Sequence, residues 1–136
     1  MGSHEFSYAV YPHSGTFQSA GVIQHAYNFN QPLSVVPGSV CEGFKGRSFF
    51  SVDNPAVILE TVKIAESITS AAVVRLYEAY GGHARTRLST SLPVKRVMKC
   101  NLLEIPDDDG AVPCSCGDVE LSLRPFQITT LLLYFE

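Results

Sequence analysis

The residues able to do chemistry in this 136-residue chain are a few carboxylates, thiols and histidines and one glycine-rich loop. Glu60 and Glu78 are the kind of carboxylate couple that glycosidases hold ~5–9 Å apart, but sequence does not place them that close, so no pair receives a catalytic role. Asp107-Asp108-Asp109-Gly110 opens like a calcium loop yet lacks the alternating ligands and the closing Glu, and is expected as a solvated turn. Gly81-Gly82-His83-Ala84-Arg85 has the glycines of a phosphate cradle without P-loop spacing or a following helix, and reads as a hairpin loop. Cys114-Ser115-Cys116 lacks the two-residue gap of a zinc knuckle, and none of His4, His13, His25 and His83 follows it at ligand spacing. No Gly-x-Ser-x-Gly elbow occurs, and Trp, the usual platform for stacking sugars, is absent. The residues therefore give no catalytic, cofactor-binding or metal-binding set. Tyr77, Tyr80 and Arg85 are the candidates for contact with carbohydrate or with a neighbouring domain.

Composition bounds what must position these groups. Hydrophobic residues make up 46% and charged residues 17%, which permits a buried core and excludes a disordered chain. The length fits one domain rather than a large multidomain enzyme. Ten Lys+Arg against thirteen Asp+Glu give a net charge of −3, so the overall field attracts neither nucleic acid nor an acidic membrane. Six of the ten basic residues, Arg75, Arg85, Arg87, Lys95, Arg96 and Lys99, fall where Glu78 is the sole acid. That stretch reads as a solvated sheet face, because no surface aromatics interleave it. The apolar run Leu131–Phe135 is far short of the ~20 residues that span a bilayer, and no signal sequence opens the chain. A cytosolic protein is expected. Cys41, Cys100, Cys114 and Cys116 are too sparse for a disulfide scaffold, so all four are expected reduced and free of metal.

The periodicity predicts an all-β chain, an antiparallel sandwich or barrel, with one short helix near residues 19–28. Phe6–Tyr11 is strand-like. Pro32, Pro37, Gly38, Gly43 and Gly46 punctuate a connector, and a boundary is placed near Ser48. Strands are expected at Ser48–Val52, within Ala56–Ala65, at Val73–Tyr80 and Ala84–Ser91 around the Gly81-Gly82-His83 hairpin, and at Val94–Leu103. Ala56–Ala65 is ambiguous with a helix and is assigned by its β-branched content. Val119, Leu121 and Leu123 alternate with Glu120, Ser122 and Arg124, the clearest strand signal in the chain. Pro125 is expected to mark an edge or bulge before a final strand at Phe126–Phe135.

Five ordered stretches carry a resemblance. His4-Glu5-Phe6-Ser7-Tyr8-Ala9-Val10-Tyr11-Pro12-His13-Ser14-Gly15 resembles a stretch in the C-terminal half of family 38 glycoside hydrolases, the α-mannosidases. Ala20–Leu33, Ser51–Lys63 continued by Val74–Gly82, Cys100–Glu104 and Pro125–Leu131 resemble further stretches of that family in the same order. The Leu59-Glu60-Thr61-Val62-Lys63 wording is most similar to its cytosolic branch, whose members trim free oligosaccharides and are activated by cobalt. The resemblance implies a non-catalytic domain. The family's divalent metal, zinc or cobalt, its ligands, the aspartate nucleophile and the acid/base carboxylate of its retaining mechanism belong to an N-terminal half that this chain does not match. It further implies that residues 1–47 are the tail of a large central β-sandwich plus a connector, and residues 48–136 a small C-terminal β-sandwich. The stretch around Gly43 and Gly46 matches nothing in the family and reads as a variable loop. Partners implied are the catalytic and central β domains of the parent enzyme and, through it, mannose oligosaccharides, with no nucleic acid and no membrane. The alternatives from other classes are an independent carbohydrate- or protein-binding β-module and an autonomous small enzyme.

Overall fold

A computed structural model describes residues 2–39 and 46–135. The expectations for Cys41 and Gly43 lie outside the described residues. The chain divides into two compact units, residues 1–43 and 44–136.

The first unit holds the helix α1, Val22–Asn30. Thr16 and Ser19 exchange side-chain and backbone hydrogen bonds to form the turn before it, and Gly21 enters the helix in the left-handed region at φ 63°. The ring of Tyr11 lies 4.6 Å from that of His25, fastening the preceding segment to the helix. None of the helix residues is buried. The strand expected at Phe6–Tyr11 is not formed: Phe6, Tyr8 and Val10 are 82–86% exposed, and no strand lies beside them among the described residues of this unit. Alternating apolar residues make a strand only when a neighbouring backbone accepts their hydrogen bonds, and here none does.

The second unit is an antiparallel β-sandwich. Its strands are β1 Phe50–Val52, β2 Val57–Ile64, β3 Ala71–Glu78, β4 Ala84–Thr90, β5 Arg96–Cys100, β6 Pro106–Val112, β7 Cys114–Ser115, β8 Asp118–Leu123 and β9 Ile128–Tyr134. One sheet has the order β1-β4-β8-β7, the other β2-β3-β9-β5-β6. Period-2 alternation explains the core. Ala84 and Leu88 from β4 and Val119, Leu121 and Leu123 from β8 meet Val74, Leu76, Leu131 and Leu133 from the facing sheet, all buried. A smaller cluster of Ala65, Ala71, Val73, Cys100 and Leu132 covers the other face of the five-stranded sheet.

Three expectations are corrected. Gly81-Gly82-His83 does not close a hairpin: β3 pairs with β2 and β9 while β4 pairs with β1 and β8, so the loop arches from one sheet to the other. Both flanking strands bury one face in the same core from opposite sides, which a short arch permits as readily as a hairpin does. Asp107–Gly110 is not a turn but part of β6, the edge strand beside β5. The acidic side chains point to water there, and Gly110 fits because a Cβ would stand 2.8 Å from the Lys99 carbonyl oxygen beside a register shift. Pro125 marks no edge. It sits in the turn leading from β8 to β9, and β9 is the middle strand of the five-stranded sheet.

Candidate functional site

Strand β3 ends in a carboxylate that cannot reach solvent. Glu78 is 1% exposed. Its Oε1 accepts the Tyr80 N–H at 2.8 Å, and its Oε2 accepts the N–H groups of Gly81 at 2.8 Å and Phe126 at 3.0 Å. Burial pushes its pKa up, but these donors and the Gly82 N–H outweigh that and hold the carboxyl below its ordinary value. The acid thereby ties together two of the connections between the sheets, residues 79–83 and 124–127. Phe126 takes φ 57°, in the left-handed region, and its ring lies on Gly81, where a Cβ would stand 2.8 Å from Cζ. Gly81, at φ 80°, admits both the backbone turn and the ring.

The three residues singled out in the sequence do not converge. Tyr77 shares the outer face of the five-stranded sheet with Val73 and Arg75, opposite Ile58 on β2 and Ile128 on β9. Tyr80 follows it in the arch. Arg85 points outward from the four-stranded sheet, across from Ser122, so it and Tyr77 occupy opposite outer faces of the sandwich. Arg85 lines a polar depression of 490 Å³ with Asp53, Arg87, Glu120 and Ser122. There Asp53 Oδ1 accepts the Arg87 N–H at 2.8 Å and the Thr86 hydroxyl at 2.9 Å, which in that order draw its pKa down. The Arg87 guanidinium stands 3.7 Å from Glu120. Asp53, Arg87 and Glu120 are thus already engaged with one another or with their neighbours. The basic stretch is divided too: Arg75 donates to Thr130 on the five-stranded sheet, and Arg96 lies 4.1 Å over the Tyr134 ring.

A second set of charged groups also fastens loops. Lys63 bridges Glu104 at 2.6 Å and Glu66 at 2.7 Å, and Glu104 also accepts the Glu66 N–H. Cys100, Cys114 and Cys116 carry free thiols, and burial, then the Asp107 and Glu104 charges, push the Cys100 thiol up, away from the reactive thiolate. Glu60 is exposed on β2 and bonded by the Thr61 hydroxyl, so it is no partner for buried Glu78. Among the described residues no group of three or more His, Cys, Asp or Glu could hold a metal ion. No helix of the described residues is long and apolar enough to cross a membrane. The Glu78 cluster escaped the sequence reading, although an acid set directly before Ala-Tyr-Gly-Gly at a strand end was a usable signal.

Comparison with known proteins adds the following. The family model described as "Glycosyl hydrolases family 38 C-terminal beta sandwich domain" matches residues 56–131. The chain is 47% identical over 137 residues to Alpha-mannosidase 2C1 of Homo sapiens, covering 99% of this chain and 13% of that protein. It is 40% identical to Alpha-mannosidase G of Dictyostelium discoideum, over 96% of this chain and 12% of that protein. Against the Alpha-mannosidase of Saccharomyces cerevisiae the identity is 30%, over 99% of this chain and 14% of that protein. The chain therefore spans only a small fraction of the length of these curated relatives.

Proposed function

The chain belongs to the family 38 glycosyl hydrolases, as their C-terminal β-sandwich domain, and from that premise we propose that it is a non-catalytic structural part of a cytosolic α-mannosidase. The parent enzyme removes terminal α-mannose from free oligosaccharides with retention, and its zinc or cobalt is held by residues outside this chain. The observation that carries the non-catalytic role is the state of Glu78. It is the most deeply buried acid among the described residues, its two oxygens are occupied by backbone N–H groups, and its pKa moves away from what a general acid needs at neutral pH. Its work is to hold loops. The 47% identity to a 2C1-type mannosidase supports the cytosolic assignment, together with the Leu-Glu-Thr-Val-Lys stretch at 59–63. Residues 1–47 are then the tail of the parent's central sandwich plus a connector, with Phe6, Tyr8 and Val10 awaiting a sheet edge supplied by the catalytic and central domains.

The test is direct. The purified chain, given an aryl α-mannoside with zinc or cobalt, shows no turnover. Turnover that co-purifies with the chain and vanishes in Glu78→Gln would overturn the proposal.

A further inference from the structure

The turn between β8 and β9 presents an aromatic ring that stands mostly in solvent. Phe126 is 71% exposed and Ile128 58% exposed, and neither belongs to the buried clusters on the two faces of the five-stranded sheet. A strained backbone nevertheless fixes the ring. A bulky residue seldom adopts φ 57°, and such strain persists only where surrounding structure imposes it. Here the buried Glu78 carboxylate grips the Phe126 N–H, and Gly81 offers a face without a side chain for the ring to rest on. Next along the chain Ile128 stands across from Tyr77, which stands across from Ile58, so aliphatic and aromatic side chains continue over the outer face of the sheet. Phe126, Ile128 and Tyr77 carry no charge, and exposed Arg124 stands beside them as a polar margin, the make-up of an interface centre and rim.

We infer that Phe126, Ile128 and Tyr77 form the surface by which this domain docks onto the rest of its own polypeptide. The inference rests on the reading of the chain as one domain of a longer mannosidase. Two observations choose that occupant. The patch lies within residues 56–131, the part that the family model matches, and the chain makes up only 13% of the length of its human relative, so most of such a protein is available to cover it.

Hydroxyl-radical footprinting reads the exposure of Phe and Tyr side chains and is applied to the 136-residue chain and to the full-length enzyme. Phe126 and Tyr77 are expected to label several-fold more slowly in the full-length enzyme. A second measurement uses Phe126→Gly, which removes the ring and relieves the backbone. The thermal midpoint of the 136-residue chain should hold or rise, while that of the full-length enzyme should fall. Equal labelling in both proteins, or the same midpoint change in both, overturns the inference. So does protection of Phe126 in the isolated chain by a mannose oligosaccharide, which would make the ring a sugar platform. An active full-length mannosidase with fully labelled Phe126 defeats this inference alone. A longer polypeptide without mannosidase activity defeats the parent reading, and the inference with it.

Discussion

Glu78 shows how one side chain can decide a local architecture. Its oxygens take N–H groups from the arch after β3 and from the turn before β9. Glu78→Gln keeps the shape but turns an amide NH2 toward those donors, and hydrogen bonds to a charged group contribute about 1.5–3 kcal/mol each. The expected loss is about 2–3 kcal/mol of unfolding free energy, read from a urea midpoint at neutral pH. The sign with pH follows from the direction of the shift. A carboxyl whose pKa is lower folded than unfolded stabilises above the unfolded value, and that contribution fades as pH falls below about 4.3. Wild type should therefore lose stability through that range, and the Gln variant should lose less. Equal acid dependence in the two would show that the fold does not hold the Glu78 pKa below its unfolded value.

At the scale of elements, what was legible follows from what each pattern encodes. Val119, Leu121 and Leu123 could be assigned directly because side-chain alternation is a property of the strand alone, and the same holds for Ala84, Thr86 and Leu88. Val57–Ile64 was settled by β-branched residues against a competing helical spacing. Sheet membership was not legible, because the arch at 79–83 is as short as a hairpin and only the facing core decides which strand β4 pairs with. Asp107–Asp109 misled for a related reason: local composition argued for a turn, whereas these residues run within β6 through the register shift between its Met98–Ala111 and Cys100–Pro106 pairs, with their side chains in water. Glu78 was visible as an acid, but the amides it holds come from residues 126 and 80–82 and meet only in the fold. The edge position of β6 gives its acids a use. Charges along an edge strand oppose pairing with another molecule. Replacing both Asp107 and Asp109 with Val should leave the urea midpoint nearly unchanged but produce association that rises with concentration in analytical ultracentrifugation. A variant monomeric at every concentration would remove that role.

The whole molecule combines a unit with its own core and a unit whose described residues form none. Both buried clusters are built from residues 57–133, whereas the described residues 2–15 and 32–39 contribute no strand. Amide exchange is accordingly expected to be slow in β3, β4, β8 and β9 and fast in residues 2–15. Strong protection of Phe6–Tyr11 in a dilute monomer would show that this segment pairs within the chain, against the proposal that its sheet lies in the parent enzyme. The placement of β9 has a consequence in time. It is the last strand in sequence order and the middle one in its sheet, with β2-β3 on one side and β5-β6 on the other. During synthesis at about 5–20 residues per second, both pairs emerge from the ribosome before the strand that joins them. A nascent chain interrupted before Ile128 leaves two half-sheets with open inner edges for chaperones and proteases to recognise, so folding of the sandwich itself reports that translation has passed that point.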